Sequence, residues 1–272
     1  MKSVSKVLVT GASGFIGSNL TRNLIKTEDE VNVLVRKKSN LWRINDVLSE
    51  CNVHTVDLSD FEEVRNLISK VKPKIVYHCA TYGVYPNQKD VSQMDQTNVT
   101  GTLNLLKSLH ENSELERLVN LGSVFEYGYK SNSIKETDST QPFDSYSITK
   151  VSQTKLVEYY SRQKKLPAVT LRIFTPYGIF EEPGRLISDV MVATVKKKPL
   201  KIFSRKAKRD FVYIDDVTHA LIKASKKPGI EGEIFNIGSG NATSVEELVN
   251  LVCKITNTNL EVSWSDENQR KQ

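Results

Sequence analysis

The chain has 272 residues, 39% of them hydrophobic, and a formal net charge of +6, which suits one large soluble core or such a core with a smaller lobe attached. No apolar window is long enough to cross a bilayer, and residues 1 to 6 run straight into the first apolar segment without a charged leader and signal core, so a cytoplasmic protein is expected. The three cysteines and four histidines lie apart without metal-ligand spacing, which argues for buried thiols and ordinary histidines and against a disulfide framework or a metal site.

The first element is the apolar run Val7 to Val9, followed by glycines at three-residue spacing, Gly11, Gly14 and Gly17, and then an amphipathic stretch. A glycine-spaced turn between strand and helix presents backbone N–H groups and a helix N-terminus to a pyrophosphate, so a dinucleotide site is expected here. Apolar runs then alternate with helical patterns. Strands are predicted near 6 to 10, 31 to 36, 53 to 57, 75 to 80, 117 to 122 and 168 to 174, and helices near 15 to 27, 40 to 48, 60 to 71, 93 to 112 and 146 to 165. That order implies an α/β fold with a doubly wound parallel Rossmann sheet and a ligand at the carboxyl ends of its strands. Past Gly178 the alternation weakens. A helix near 185 to 198, strands at "LKIF", "DFVYI" and "EIFNI" and a helix near 243 to 256 read as a small C-terminal lobe. The division expected is residues 1–178 for the dinucleotide-binding domain and 179–272 mainly for a substrate lobe, interleaved with the end of the sheet.

The second strand ends in "VNVLVRKKSN", where a carboxylate would hold the ribose hydroxyls of NAD. Arg36 stands there instead, which favours the 2′-phosphate of NADP(H), with NAD(H) as the other possibility; an ordinary basic loop is the plainer reading. Asp57 and Leu58, closing the third strand, are placed either to contact adenine or, for Asp57, to cap the next helix. Further on, "YSITK" sets Tyr146 and Lys150 four residues apart on one helical face, where an ammonium can poise a phenol for proton transfer, and Ser123 precedes them in "NLGSVFEYG". The basic runs at Lys196 to Lys198, 223 to 227 and 204 to 210 suit solvated helix ends and loops better than nucleic acid.

Together, "TGASGFIG", "VDLSD", "YHCAT", "TNVTGTLNLL", "GSVFEYG", "YSITK", "LRIFTPYG", "RDFVYIDDV" and "FNIGSG" resemble the extended short-chain dehydrogenase/reductase family of nucleotide-sugar epimerases, dehydratases and reductases. The resemblance implies that Ser123, Tyr146 and Lys150 are catalytic. It implies a cofactor site of Gly11, Ser13, Gly14, Phe15, Ile16, Gly17, Arg36, Asp57, Leu58, Ala80 and Asn98, shared with Tyr146 and Lys150, and substrate contacts at Thr175, Arg185 and Arg209. Arg209 would face a diphosphate, the bland alternative being a surface ion pair. A homodimer built on the helices at 93 to 112 and 146 to 165 is also implied, with a nucleotide sugar as substrate and neither nucleic acid nor membrane as partner. The chain departs from the family pattern at Thr175, where many relatives carry Asn, and ends earlier than most relatives, so the small lobe is either reduced or cut short. Val124 and Phe125 stand where sugar-nucleotide dehydratases carry an Asp-Glu pair. The resulting expectation is NADPH-dependent reduction of a nucleotide-linked 4-keto-6-deoxyhexose. NAD-dependent UDP-hexose 4-epimerisation, reduction of a non-nucleotide ketone and a non-catalytic NADP-binding sensor or scaffold are the competing readings.

Overall fold

The computed structural model describes residues 5–27, 29–112, 114–130 and 132–265. Its main sheet contains β1 (Lys6–Thr10), β2 (Glu30–Val35), β3 (Asn52–Thr55), β4 (Ile75–His78), β5 (Arg117–Ser123), β6 (Ala168–Ile173) and β10 (Ile234–Ile237). Their order is β10-β6-β5-β4-β1-β2-β3, and every pairing is parallel. The doubly wound fold expected from the sequence is therefore present. Strands β4, β5 and β6 are buried at every residue, as apolar strands covered on both faces must be. Leu8, Leu34, Val76, Leu118 and Ala168 of the sheet share one core with Val64, Leu67 and Ile68 of α2 (Phe61–Val71), Leu105, Leu106 and Leu109 of α4 (Gly101–His110) and Val157 of α5 (Ser145–Lys164).

The strand order reverses between β1 and β4, so the chain leaves these two neighbours in opposite directions and opens a crevice at their carboxyl ends. The segment after β1 turns back within hydrogen-bond reach, Gly14 N–H donating to Gly11 O at 2.9 Å, and enters α1 (Phe15–Ile25).

Several elements differ from the sequence expectation. Residues 40 to 48 form consecutive tight turns, with Ile44 N–H on Leu41 O and Val47 N–H on Ile44 O, because only Arg43 and Ile44 find burial there. The helix expected over 93 to 112 is interrupted: α3 (Val91–Met94) passes into a π-helical stretch, Asp95–Thr100, before α4 resumes. A Cβ at Gly101 would stand 2.9 Å from Leu58 Cβ, so the backbone presses close to the turn after β3. Helix α7 (Ile214–Lys226) is not among the expected elements although Ile214, Val217, Leu221 and Ala224 line its buried face, because the apolar "DFVYI" run hides its start. The "EIFNI" strand, β10, pairs with β6 and so belongs to the main sheet.

The chain forms two compact units, one of Met1–Ile173 with Asp215–Ile237 and one of Phe174–Ile214 with Gly238–Gln272. The second unit holds β7 (Thr175–Tyr177), α6 (Leu186–Lys196), β8 (Leu200–Phe203), β9 (Lys208–Tyr213), β11 (Ala242–Ser244), α8 (Val245–Thr256) and β12 (Val262–Ser265). A small core of Val190, Ile202, Val245, Val249 and Val252 supports it. Among the described residues no helix is long and apolar enough to cross a membrane, no cluster of three metal-ligating side chains occurs, and Cys51, Cys79 and Cys253 are free thiols.

The glycine turn sets a sharp steric limit. A Cβ on Gly17 would lie 2.3 Å from Gly11 O, a backbone atom that cannot swing aside. Gly17→Ala is expected to lower stability by about 1–3 kcal/mol through overpacking, read as a lower urea midpoint at unchanged slope.

Candidate functional site

The three glycines of the turn do different things. Gly11 has φ +66°, and a Cβ there would meet Ala80 N at 2.6 Å, so it lets the ends of β1 and β4 touch. Gly17 lets α1 pack onto that turn. Gly14 is the N-cap of α1, and the nearest atom to a Cβ there is Gly11 O at 3.2 Å. This end of α1 has no side-chain cap and no acid in its first turn, whereas Asp60, Asp144 and Ser244 cap α2, α5 and α8. An uncapped helix N-terminus opening onto the crevice, beside half-buried Ser13, Phe15 and Ile16, fits a pyrophosphate.

Beneath the crevice runs a directional hydrogen-bond chain. Ala80 N–H donates to Thr10 Oγ1 at 3.2 Å, Thr10 meets His78 Nδ1 at 2.8 Å, His78 Nε2 meets Thr102 Oγ1 at 2.9 Å, and Thr102 donates to Asn98 O at 2.7 Å. The last donation fixes the rest: Thr102 accepts from His78 Nε2–H, and His78 Nδ1 accepts from Thr10. Burial drives the His78 pKa down to about 3, so the ring is neutral and serves as a brace. Asn98 lies in the π-helical stretch. Its amide donates to Tyr82 O and Thr149 Oγ1 and its carbonyl accepts from Tyr82 N–H and Thr81 Oγ1, which joins the loop after β4 to the start of α5.

Ser123 ends β5 and caps the 3₁₀ turn Val124–Tyr127. Its Oγ accepts Phe125 N–H at 3.2 Å, leaving the hydroxyl proton to donate elsewhere. Tyr146 and Lys150 sit one turn apart on α5, and the Phe125 ring meets the Tyr146 ring edge-on at 6.2 Å. Lys150 is buried; its ammonium donates to Leu121 O at 2.6 Å and to Gln153 Oε1. Burial lowers its pKa to about 8, and the negative charge of Glu126 opposes that fall.

Glu126 and Arg172 complete the arrangement, and sequence reasoning did not place them in it. Glu126 Oε1 accepts Ser123 N–H at 2.8 Å and Oε2 pairs with Arg172 Nε at 2.9 Å, with side-chain exposures of 0% for Glu126 and 3% for Arg172. The Arg172 guanidinium lies 4.4 Å from the Tyr127 ring centre, and Tyr127 OH donates to Asn236 Oδ1 at 2.8 Å. The signal was in the sequence as three separate strings, "FEYG", "LRIF" and "FNIG"; nothing along the chain said that they meet.

The remaining candidates are placed as follows. Arg36 is exposed in a closed turn after β2, its N–H on Ser39 Oγ and its carbonyl accepting Ser39 N–H, each at 2.9 Å. Asp57 accepts from Ser59 N–H and Oγ, while Asp60 caps α2, so the capping alternative for Asp57 falls to its neighbour. Leu58 is buried in the core, and its carbonyl accepts from Asn104 Nδ2 at 3.0 Å. Thr175, Arg185 and Arg209 all belong to the second unit: Thr175 pairs with Phe211 across β7 and β9, Arg209 pairs with Thr243, and Arg185 precedes α6, 3.8 Å from Glu181. Asp210, beside Arg209, accepts from Ser239 N–H and Gly240 N–H, which explains the "GSG" string of that unit.

The sequence model of the NAD dependent epimerase/dehydratase family matches residues 7–238. The chain belongs to this family. Among its relatives is the Bacillus subtilis (strain 168) protein described as the uncharacterized UDP-glucose epimerase YtcB, 28% identical over 96% of this chain and 85% of that one. The dTDP-glucose 4,6-dehydratase of Neisseria meningitidis serogroup B is 28% identical over 92% of this chain and 75% of its own. The Bacillus cereus UDP-glucuronic acid 4-epimerase, solved with UDP-glucuronic acid and NAD, superimposes with a TM-score of 0.85 at 27% identity, covering 96% of this chain and 86% of that one. Family membership thus agrees with the extended short-chain dehydrogenase/reductase resemblance.

The lowered pKa of Lys150 gives a stability test. Its folded value of about 8 lies below the ordinary 10.5, so the folded state binds the proton less well than the unfolded state. That penalty is full below pH 8 and is relieved as pH rises toward 10.5. Against Lys150→Met, the wild type is therefore expected to gain stability between these pH values, by about 1.4 kcal/mol per pKa unit. Parallel urea-midpoint curves for the two proteins would count against a depressed lysine.

Proposed function

We propose that this chain is an enzyme, a nicotinamide-dinucleotide-dependent 4-epimerase acting on a UDP-linked hexose or hexuronic acid. The observation that carries the reading is what stands beside Tyr146. Its ring neighbour is Phe125, which in turn meets the Phe143 ring at 5.9 Å, and Val124 precedes it. Expelling water from a hexose needs an acid and a base of its own, and positions 124 and 125 supply neither. The nearest carboxylate along the turn, Glu126, is buried and committed to Ser123 N–H and Arg172. A site with one phenol, one hydroxyl and one ammonium suits reversible oxidation of a single alcohol. Similarity to named 4-epimerases supports this over the 4-keto-sugar reduction expected from the sequence.

The uncapped start of α1 and the Gly14 backbone would hold the cofactor's pyrophosphate, and Ala80, Asn98 and the Leu58 backbone would border it. A bound dinucleotide would supply the hydride acceptor and donor for carbon 4. Tyr146 takes the hydroxyl proton as the alcohol is oxidised and returns it to the same oxygen once the 4-keto sugar has turned its other face to the cofactor, and Ser123 donates a hydrogen bond to that oxygen. Lys150, with two of its three donors on Leu121 and Gln153, offers the third to a ribose hydroxyl and holds positive charge near the phenol. Arg209 and Arg185 would neutralise the UDP diphosphate, with Thr175 a further substrate contact, which gives the second unit its substrate role. The reaction would run in the cytoplasm, in a homodimer packed through α4 and α5.

One observation favours a second reading: exposed Arg36 at the end of β2 suits a 2′-phosphate and hence NADPH-dependent reduction of a 4-keto sugar. Mass spectrometry of the co-purifying nucleotide, followed by assays with UDP-glucose, UDP-glucuronic acid and a nucleotide-linked 4-keto-6-deoxyhexose, separates the two. The epimerase reading expects retained NAD and interconversion without net cofactor use. Stoichiometric NADPH consumption by the keto sugar, with Arg36→Asp reversing the cofactor preference, would establish the reductase. Ser123→Ala and Tyr146→Phe are expected to lower kcat by about 10²–10⁴-fold in either case, and wild-type rates in both variants would remove these residues from the reaction; no wild-type turnover with any of these substrates would leave only a non-catalytic binding role.

A further inference from the structure

The carboxyl end of β5 is held by two opposite charges at adjacent peptide groups. Lys150 donates to Leu121 O at 2.6 Å, and Glu126 accepts Ser123 N–H at 2.8 Å, with Gly122 between them. A Cβ at Gly122 would lie 2.7 Å from Glu126 Oε1 and 2.9 Å from Arg172 Cγ, so main chain, carboxylate and guanidinium side chain are packed without spare room. We propose that Glu126 is a positioning residue of the reacting set: its two oxygens fix the Ser123 turn to β6 through Arg172, and its charge sets the electrostatic field at Lys150. The inference rests on the reading of Ser123, Tyr146 and Lys150 as that set.

A buried ion pair is a poor stabiliser in itself, since apolar residues of similar volume often serve the fold as well or better. Here the pair stands where charge matters for chemistry. The groups acting on Lys150 come from every element around it. Cys79 follows β4, and burial pushes its thiol up to about 12, so it is neutral; His78 on β4 is neutral with a pKa of about 3. Tyr146 lies one turn back on α5, and Arg172 on β6 is paired with Glu126. Among these groups, Glu126 is the carboxylate, paired with Arg172 at 2.9 Å. With Arg172 and Lys150 it makes a buried set of two cations and one carboxylate. Without its charge, the buried Lys150 ammonium would lose the carboxylate that offsets its desolvation and would shed its proton at lower pH.

Two variants separate position from field. Glu126→Gln keeps a hydrogen-bonding side chain of the same length and removes the charge; Glu126→Asp keeps the charge and shortens the reach. Lysine Nζ resonances of ¹⁵N-labelled holoprotein, with Lys150 assigned by its loss in Lys150→Met, follow the ammonium directly and need no substrate. In Glu126→Gln the Lys150 midpoint is expected to fall by about one pH unit or more, and the alkaline limb of kcat/KM for UDP-sugar interconversion to move with it. In Glu126→Asp the midpoint should stay within a few tenths of a unit of wild type, while kcat drops and KM holds because Ser123 is displaced. Should Glu126→Gln fail to fold, Glu126→Asp still decides the positioning half, and wild-type kcat there overturns it. An unmoved Lys150 titration in folded Glu126→Gln, with only the melting temperature lowered, would make Glu126 a structural brace. Absence of UDP-sugar turnover in the wild type would overturn the epimerase reading and leave the lysine titration as an independent measure of this one.

Discussion

The end of β5 is the point on which the candidate site depends. A strand buried on both faces has no solvent to satisfy stray polar groups, so the peptides at its exit must find partners within the protein. The chain supplies them with buried side chains of opposite sign, Lys150 on Leu121 O and Glu126 on Ser123 N–H. Each charge is costly to bury alone, and each is made tolerable by a neighbour: Arg172 for Glu126, the Gln153 carbonyl oxygen for Lys150. The Ser123 hydroxyl and the α5 face that carries Tyr146 thereby share one rigid support.

The same constraint governs the crevice between β1 and β4. Parallel strands whose order reverses leave their carboxyl ends open, and the chain closes the floor of that opening with a one-way run of hydrogen bonds from Ala80 through Thr10, His78 and Thr102 to Asn98. A charged imidazole would break the direction of that run, and burial keeps the ring neutral. Above the floor, α1 begins without a cap, in contrast to α2, α5 and α8. An unsatisfied helix terminus costs stability in an apo protein and is recovered when an anion binds. The fold has therefore left its polar deficit where a diphosphate can meet it.

Family membership narrows the chemistry, and local geometry narrows it further. Ser, Tyr and Lys are shared machinery for alcohol oxidation and carbonyl reduction, and they do not by themselves choose between epimerase, reductase and dehydratase. The proposal of epimerisation rather than dehydration rests on two apolar residues, Val124 and Phe125, together with the commitment of Glu126 to an ion pair. The choice of cofactor turns on a single exposed turn after β2, where Arg36 contends with the NAD seen in the Bacillus cereus epimerase.

The sequence by itself determined the alternation of strands and helices, the parallel sheet, the glycine turn and the Tyr146 to Lys150 spacing, because each is written in local periodicity or in residues a few positions apart. It carried the helix at 214–226 as well, in the spacing of Val217, Leu221 and Ala224, although an adjoining apolar strand masked it. Tertiary structure alone decided what is held by contacts across long stretches of chain. The helix predicted over 40 to 48 gave way to turns because burial is local to Arg43 and Ile44, and the π-helical stretch at Asn98 runs into Gly101, where the Leu58 turn packs close. The meeting of Glu126 with Arg172, 46 positions apart, and of Tyr127 with Asn236, 109 apart, has no period or spacing to announce it. Such pairs are chosen by the folded sheet, whose order β10-β6-β5 sets the turn after β5 within reach of Arg172 on β6 and Asn236 on β10.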